Sequence, residues 1–350
     1  MKVKLKMDRS AVLVVVAVAV MTVLSGSAGQ VGGQEEESAP LKVMFWNLEN
    51  FFDFIDGGTG ESDAEFSATG QRRWTKKRFY RKCHAVAKTI LWAGSGAAVQ
   101  AGFADGGQYG IGVECAGLPD IVGMAEVENR FAVKQLVTKT ALRKLDYEIV
   151  HFDSLDPRGI DCALLYRTSR LTLVSAQPCR VSAPELHTRD ILLAQFLTMD
   201  GDSLAVLVNH HPSKYGGGET EWRREVAVAR LRALGDSLAA AGWTRAAAVG
   251  DFNDTPDNPL FRKLEPAFSL CRYMGRQRGS IRFNGEWQLI DLCFVSPALY
   301  TVSSFSVLEP PFLTERDAAH SGDRPLRTYS GPRYRGGVSD HRPILVQLEI

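Results

Sequence analysis

Short apolar runs separated by polar positions recur from residue 41 onward, and most have the length and alternation of β-strands. The first run, LKVMFWN, places Val43 and Phe45 on one face and ends at Asn47. The runs predict strands at 41–47, 121–126, 147–152, 162–167, 171–176, 191–198, 203–211, 246–249, 289–296 and 342–350.

Three other segments carry apolar residues at helical spacing with charged residues between them. They predict helices at 74–93, at about 131–144 and at 220–241. Residues 94–117 are rich in Gly and Ala without any period, which predicts a long loop, and a second loop region is expected at 309–337.

Strands outnumber helices, and both recur along the whole chain without a change of composition after residue 40. A single domain over 41–350 is therefore predicted. Many strands that are adjacent in sequence favour an α/β architecture of two sheets packed together and flanked by helices over one doubly wound sheet. No internal repeat is evident.

The N-terminal segment differs from the rest of the chain. Four basic residues precede a nearly all-apolar run over 11–24, and small residues follow at 25–28. This pattern predicts a signal peptide over 1–28 and hence a periplasmic or secreted protein, with an uncleaved anchor as the alternative. The apolar run is short for a membrane span. Residues 29–40 are polar and Gly-rich and are expected to form a spacer.

Composition narrows the range of functions. The formal charge of +1 becomes −2 once the segment 1–28 is removed, and this near-neutral balance disfavours a sequence-independent electrostatic clamp on DNA. Of the six cysteines, Cys162 and Cys293 lie in apolar runs and are expected to pack as small hydrophobic residues. Because no CxxC spacing occurs, a thiolate zinc site is not predicted.

Polar residues with oxygen or imidazole side chains follow one apolar run after another. They are Asn47, Glu126, Asn209-His210-His211, Asp251 with Asn253, Asp291 and Asp340-His341. Such strand ends are expected to converge at one rim. Carboxylate and amide oxygens without thiolates favour Mg²⁺, with Mn²⁺ as the alternative, and a carboxylate beside an imidazole can stabilise its protonated form. Together they predict metal-assisted hydrolysis of a phosphoester.

The ordered motifs FWNLENFF, IVGMAEVENR, VNHHPSK, VGDFNDTP, IDLCFVS and GGVSDHRP resemble those of the endonuclease/exonuclease/phosphatase superfamily. That superfamily includes pancreatic deoxyribonuclease, exonuclease III, bacterial sphingomyelinase and inositol polyphosphate 5-phosphatases. The resemblance covers residues 41–350. It implies a four-layer α/β sandwich in which two mixed β-sheets pack face to face between helices, with the site at the sheet rims.

The resemblance also implies roles for the polar strand ends. Glu126 would be the principal metal ligand, with Asn47 beside it and Asp340 facing the metal.

The remaining strand ends would act on the substrate. By the same resemblance Asp251 would orient or deprotonate the attacking water, and Asn253 would contact the scissile phosphate. His210 would donate to the phosphate, and His341 would hydrogen-bond it while Asp291 holds the ring.

Two residues next to these candidates, Glu128 and His211, are not assigned a role in the site. Glu128 is expected to be a solvated charge at the rim. The alternation of the preceding strand puts His210 and His211 on opposite faces, and His210 is chosen by its position in the motif.

Further substrate contacts are weaker predictions. Arg158 either lines the phosphate site or belongs to a Gly-containing turn. The segment RTYSGPRYRGG alternates cations with aromatic rings just before Asp340, and it either contacts phosphates and bases or is a solvated loop. Its candidate substrate-binding residues are Arg327, Tyr329 and Arg333.

The predicted function is that of an exported, Mg²⁺-dependent phosphodiester hydrolase acting on nucleic acid as a monomer without a stable membrane anchor. A phospholipid hydrolase of the sphingomyelinase type, or an inositol or sugar phosphate hydrolase, is the alternative, because surface loops decide substrate choice on a shared fold. A catalytically silent binding module is the non-enzymatic alternative. Its signature would be a missing catalytic residue, and none is missing.

Overall fold

The computed structural model describes residues 40–350 except 59, 96–116, 215–216 and 276–278. The predicted signal peptide, nearly all of the predicted spacer and most of the predicted loop at 94–117 thus lie outside the described residues. Within the described part of the chain, no helix is long and apolar enough to cross a membrane.

The first sheet is mixed and is built, in the described part of the chain, from seven strands. Its spatial order is Arg272–Tyr273 (β10), Ser304–Val307 (β14), Ile344–Leu348 (β19), Leu41–Phe51 (β1), Ile121–Val127 (β2), Asp161–Arg167 (β4) and Tyr147–His151 (β3). The central pair β1 and β2 is parallel, whereas β19 on one side and β4 on the other are antiparallel to their neighbours.

The second sheet repeats this pairing pattern. The six strands described for it lie in the order Leu171–Cys179 (β5), Ile191–Thr198 (β6), Ser203–His210 (β7), Ala246–Asp251 (β8), Asp291–Val295 (β13) and Ser269–Leu270 (β9). Its central pair β7 and β8 is again parallel, and β6 and β13 flank the pair in antiparallel orientation.

Short hairpins extend from the sheets. They are Ile281–Phe283 (β11) with Glu286–Gln288 (β12), Thr314–Arg316 (β15) with Asp323–Pro325 (β16), and Tyr329–Ser330 (β17) with Arg333–Tyr334 (β18). The prediction of a loop at 309–337 was therefore incomplete, because two of these hairpins lie there. Strands of two or three residues are too short for periodicity to detect.

The described helices are Lys76–Ala93 (α1), Arg130–Lys139 (α2) and Glu221–Ala240 (α3). The helix predicted at 131–144 ends early because Thr140 is extended and its side chain caps a separate 3-10 helix, Ala141–Lys144. Further 3-10 helices are Gly217–Thr220, Pro259–Leu264, Pro297–Leu299 and Pro311–Leu313.

Alternation along β1 builds two hydrophobic layers. Val43 and Phe45 belong to the core between the sheets, where β1 and β2 contact β7 and β8. Met44 and Trp46 belong to a second core that includes residues of α1 and α2. Residues of α3 join the core on the other sheet. The predicted four-layer α/β sandwich is thereby confirmed.

The parallel central pairs determine where the polar strand ends lie. Parallel neighbours end at the same edge of a sheet, so β1 ends beside β2 and β7 ends beside β8. In the second sheet β13 begins where β8 ends, because the two are antiparallel. One rim of the sandwich therefore collects the ends of strands from both sheets.

Candidate active site

Strand register brings three polar residues of the second sheet together. His210 at the end of β7 pairs with Asp251 at the end of β8, and Asp251 pairs with Asp291 at the start of β13. Paired residues on adjacent strands project to the same face, so these side chains form a row at the rim.

Two side-chain hydrogen bonds connect this row to the first sheet. The amide Nδ2 of Asn47 in β1 donates to Oδ2 of Asp251 at 3.0 Å. The ring Nδ1 of His341, which precedes β19, lies 2.8 Å from Oδ2 of Asp291. Side chains of the candidate site itself therefore connect the rims of the two sheets by hydrogen bonds.

His341 is held in a fixed orientation. Its backbone carbonyl accepts a hydrogen bond from the indole N–H of Trp46, and its backbone N–H donates to the hydroxyl of Ser339. Although burial opposes a charge here, the carboxylates of Asp291 and Asp251 raise the pKa of His341 well above its ordinary value. The free Nε2 of an imidazolium therefore faces the site, 3.8 Å from Oδ2 of Asp251.

Asp251 lies at the centre of the row. Its Oδ1 accepts the backbone N–H of Asn253 at 2.9 Å, and its Oδ2 lies 3.6 Å from Nε2 of His210. Burial raises the pKa of Asp251 to about 7, against the opposing effect of His341. A carboxyl group with such a pKa is suited to accept a proton near neutral pH.

Glu126, near the end of β2, has a left-handed backbone conformation with φ of 59°. Its Oε2 accepts the backbone N–H of Asn50 at 2.8 Å, and the guanidinium of Arg158 lies 3.3 Å away. Burial opposes ionisation, but Arg158 and the Asn50 amide together lower the pKa of Glu126. The carboxylate is therefore ionised.

Left-handed backbone recurs around this rim. Glu49, Asn50, Glu126 and Asn253 all have positive φ, an arrangement that costs free energy for residues other than glycine. Their concentration at one edge marks a place where the fold holds the backbone in a fixed, strained shape.

A buried lysine of α1 supports the end of β1. The ammonium of Lys82 donates to the carbonyl oxygen of Glu49 at 2.7 Å and to the hydroxyl of Thr328 at 2.9 Å. Glu49 in turn accepts two bonds from the guanidinium of Arg327, which also pairs with Asp340 at 3.0 Å. Burial, and next Asp340, raise the pKa of Glu49 to about 7.

Sequence reasoning missed Lys82 and Glu49. Lys82 lies on the same stripe of α1 as the buried residues Phe79, Cys83 and Val86. A lysine on the apolar stripe of an amphipathic helix was the available signal, because such a side chain must find acceptors when it is buried.

The donor set of the rim fits a hard divalent cation. Oxygen side chains of Asn47, Glu126 and Asp340 are present, and the excess of carboxylates is compensated only in part by Arg158 and Arg327. Glu126, Asn47 and Asp340 would hold such an ion, which would act as a Lewis acid on a phosphoryl oxygen.

The two adjacent histidines have different surroundings. His210 faces Glu126 and Asp251, whereas the ring of His211 packs against Phe252 with the centroids 4.7 Å apart. Both ring nitrogens of His211 are buried without a hydrogen-bond partner among the described residues. Buried Arg189 bonds the carbonyl oxygens of both histidines and fixes the end of β7.

Residues 42–350 match the sequence profile described as the endonuclease/exonuclease/phosphatase family. The chain belongs to this family. The predicted resemblance is confirmed, and so is the expectation of a phosphoester hydrolase in its general form. Members of the family generally use a divalent metal, and the oxygen-rich rim fits one. No curated protein matches the sequence at a significant level.

Solved structures with the same fold include several members of this family. A Bacteroides thetaiotaomicron protein of the family is 18% identical with a TM-score of 0.52, covering 88% of this chain and 97% of its own. A mannosyl-6-phosphatase of the same organism is 18% identical with a TM-score of 0.53, covering 88% and 99%. The catalytic domain of human Nocturnin with a bound sulfate anion is 18% identical with a TM-score of 0.51, covering 88% and 94%.

The remaining residues that were predicted to contact the substrate differ in where the structure places them. Arg158 lies beside Glu126, and its Nη2 donates to the side-chain oxygen of Asn50 at 2.7 Å. Asn253 lies beside Asp251, but its amide Nδ2 donates to the carbonyl oxygen of His211 at 2.9 Å. Arg327 faces Glu49 and Asp340.

The structure does not bring Tyr329 to the rim. The residue is only 6% exposed, its ring packs against Phe66 and Trp74, and its hydroxyl donates to the carbonyl oxygen of Arg72. It cannot stack on a base in this position. Arg333 is exposed in β18 of the same hairpin.

The expectation for Glu128 was wrong. It is buried rather than solvated, and its Oε2 accepts the backbone N–H of Asp53 at 2.6 Å. Burial, and next the carboxyl group of Asp63, raise the pKa of Glu128 to about 9. The alternation of the sequence did not reveal this, because the loop that covers Glu128 comes from a distant part of the chain.

Proposed function

We propose that this family member is a Mg²⁺-dependent phosphodiester hydrolase, with Mn²⁺ as the alternative ion, that acts on nucleic acid after export as a monomer. The observation that carries the chemistry is the arrangement of Asp251, Asp291 and His341 next to Glu126 and Asn47 at one rim. It combines a proton acceptor, a cationic donor and oxygen ligands for a metal within one site.

The residues have distinct roles in this proposal. Asp251, with a pKa of about 7, accepts a proton from the attacking water while Asn47 and the amide of Asn253 hold its carboxylate. His341 donates from Nε2 to the phosphate as negative charge develops there, and Asp291 keeps its ring oriented and protonated. His210 provides a second, neutral donor, because burial and Arg189 lower its pKa well below the ordinary value.

Two exposed guanidinium groups support an anionic polymer as the substrate. The side chains of Arg158 and Arg327 are 40% and 47% exposed at the rim, so each can turn toward a phosphate. Arg333 offers a further positive charge on the neighbouring hairpin.

A phospholipid or a sugar phosphate is the second candidate substrate. The same two guanidinium groups would bind a phosphate in any of these molecules, and the burial of Tyr329 removes the stacking partner that nucleic acid would have used there. The mannosyl-6-phosphatase and the sulfate-bound Nocturnin domain, which share this fold, also favour a site for a phosphate-like anion.

Hydrolysis assays with purified protein test the proposal. The panel contains plasmid DNA, RNA, sphingomyelin and inositol phosphates, each with Mg²⁺, with Mn²⁺ and with EDTA. We expect plasmid nicking that EDTA abolishes. Asp251→Asn and His341→Ala should each lower turnover by about a hundredfold or more with little change in the melting temperature.

The outcomes separate the candidates. Turnover of lipid or sugar phosphate with intact plasmid would replace nucleic acid by the second candidate. A variant that loses activity only because it unfolds would contradict the assigned roles. Metal binding without turnover of any substrate by the wild-type protein would support the silent binding module.

A further inference from the structure

A histidine and two aspartates meet at the turn between β3 and β4 of the first sheet. His151 ends β3 and pairs with Ala163 of β4, which belongs to the second core together with residues of α1 and α2. The alternation of β4 places Asp161 on the same face as Ala163. Asn47, in contrast, continues the inward face of Phe45 in β1. The cluster therefore lies outside the catalytic site, on the opposite face of this sheet from Asn47.

The three side chains of this cluster are those of His151, Asp153 and Asp161. One ligand atom from each of them, a ring nitrogen or a carboxylate oxygen, lies within 4.8 Å of the ligand atoms of the other two. His151 and Asp161 are only 9% and 5% exposed, whereas the side chain of Asp153 is 89% exposed. The cluster thus has a buried base and one side that opens to solvent.

A ring nitrogen of His151 is the observation that points to a ligand. Its Nε2 is buried and has no hydrogen-bond partner among the described residues, although it lies 3.3 Å from Oδ2 of Asp161. The catalytic pair of the same protein differs, because Nδ1 of His341 lies 2.8 Å from Oδ2 of Asp291 in a hydrogen bond. A proton shared by His151 and Asp161 would favour such a shorter, aligned contact.

The spacing of these two atoms matches that of two ligands on one metal ion. Oδ1 of Asp161 accepts the backbone N–H of Ser154 at 2.8 Å, which fixes the carboxylate and leaves Oδ2 beside His151. Two donor atoms bound to Zn²⁺ at about 2.1 Å with a tetrahedral angle are about 3.4 Å apart, close to the observed separation of 3.3 Å. In that arrangement the nitrogen lone pair is directed at the ion rather than at the oxygen, so no hydrogen bond forms.

We propose that His151, Asp153 and Asp161 bind a Zn²⁺ ion at a site separate from the catalytic metal. An imidazole together with carboxylate oxygens suits Zn²⁺ better than Ca²⁺ or Mg²⁺, which prefer oxygen ligands alone. Asp153 would supply the third ligand, and water would supply the fourth through the side that opens to solvent. Beside a neutral imidazole, the divalent charge would also balance the two carboxylates.

The position of this cluster gives the ion a structural consequence. His151 precedes and Asp161 follows the turn of residues 152–160, which carries Arg158. Arg158 lies beside the catalytic rim, where its guanidinium bonds to Glu126. An ion held by His151 and Asp161 would join both ends of this turn and would therefore restrict the position of Arg158.

Calorimetric titration with Zn²⁺ tests the proposal on the full chain carrying Glu126→Gln, which removes the principal ligand of the catalytic metal. We expect a binding event that persists in this background. Adding His151→Gln should weaken it by about tenfold or more, since the loss even of an outer partner of a metal ligand costs this much. Adding His84→Gln, which alters an exposed histidine of α1, should leave it unchanged.

Asp153→Asn gives a second test that does not depend on changing a buried residue. Because the Asp153 side chain is exposed, the variant should keep its fold and still bind Zn²⁺ about tenfold or more weakly. Hydrogen exchange adds a readout independent of catalysis. In the Glu126→Gln chain, Zn²⁺ should slow amide exchange of residues 152–160, because the ion holds both ends of the turn. Adding Asp153→Asn should remove this protection.

The contrary result is equally specific. If His151 and Asp161 form only an ion pair, the Zn²⁺ titration will be the same with and without His151→Gln, and exchange of the turn will not respond to the ion. That result would overturn the proposal. A binding event that survives Asp153→Asn unchanged would do the same, because the ion would then lie elsewhere.

Discussion

At the scale of single residues, Asp291 shows how one buried carboxylate can control a catalytic group. It is fully buried, one of its oxygens contacts the ring of His341, and the other has no hydrogen-bond partner among the described residues. Its negative charge is therefore directed at the imidazole, where it fixes the ring orientation and favours the imidazolium.

Asp291→Asn should lower kcat by about a hundredfold to ten-thousandfold while the protein stays folded. The variant keeps the size of the side chain but removes the charge that raises the pKa of His341. Steady-state kinetics with a phosphodiester substrate, together with thermal unfolding, would measure both effects. Near-normal kcat in a folded variant would show that Asp291 has only a packing role.

The two histidines at the end of β7 should respond differently to substitution. His210→Ala should lower turnover by about a hundredfold, because a donor at the rim is lost. His211→Phe should leave turnover close to that of the wild type, since the ring of His211 packs on Phe252 away from the site. Equal losses in both variants would contradict this assignment.

His211 should also make stability depend on pH. Burial, and next Arg189, lower its pKa to about 3 from the ordinary value of 6.5. The unfolded chain thus binds a proton near pH 6.5 that the folded protein does not bind until about pH 3, and stability falls as the pH falls through this window. Urea unfolding at about pH 7 and about pH 4.5 should show a smaller loss for His211→Phe than for the wild type.

At the scale of elements, the C-terminal strand β19 lies inside the first sheet rather than at its edge. β19 lies between β1 and β14, and its residues Ile344, Val346 and Leu348 are completely buried. Because it directly follows the segment with His341, it also fixes the position of that residue against the rim.

Removal of residues 343–350 should therefore abolish cooperative folding. Each large buried aliphatic residue contributes about 2–5 kcal/mol, so the loss of three exceeds much of the total stability of a typical domain, about 5–15 kcal/mol. Circular dichroism and thermal unfolding would test this, with removal of Glu349 and Ile350 alone as the control. A truncated protein that melts cooperatively would contradict the central role of β19.

At the scale of the whole molecule, the two sheets approach each other closely at Gly123 of β2. A Cβ atom there would lie 3.1 Å from Cγ2 of Val208 in the opposite sheet and 3.3 Å from the ring of Phe45. The spacing between the sheets, and with it the contact of Asn47 with Asp251, depends on this small residue.

Gly123→Ala should destabilise the protein by about 1–3 kcal/mol, because the added methyl group overpacks the core between the sheets. Val208→Ala removes the nearest atoms, so the double variant should lose less stability than the sum of the two single variants. Urea unfolding of the four proteins measures this coupling. Simple additivity would show that the sheets adjust freely.

The resemblance of the ordered motifs implied the family and the four-layer architecture, and the sequence pattern itself predicted the strands and the polar residues that end them. These features are local: alternation marks a strand, and a short motif marks its end, so neither requires knowledge of distant parts of the chain. The sequence also indicates that Asp251 and Asp291 lie close together, because both stand at strand ends that are expected to meet at one rim.

Only the tertiary structure decided which of these residues face the rim and what supports them. Lys82, Arg189 and Glu128 are held by contacts between segments far apart in sequence, and Tyr329 is buried by packing that its own segment does not encode. Burial and long-range partners determine the pKa and the accessibility of such groups, and both arise only when the layers pack together.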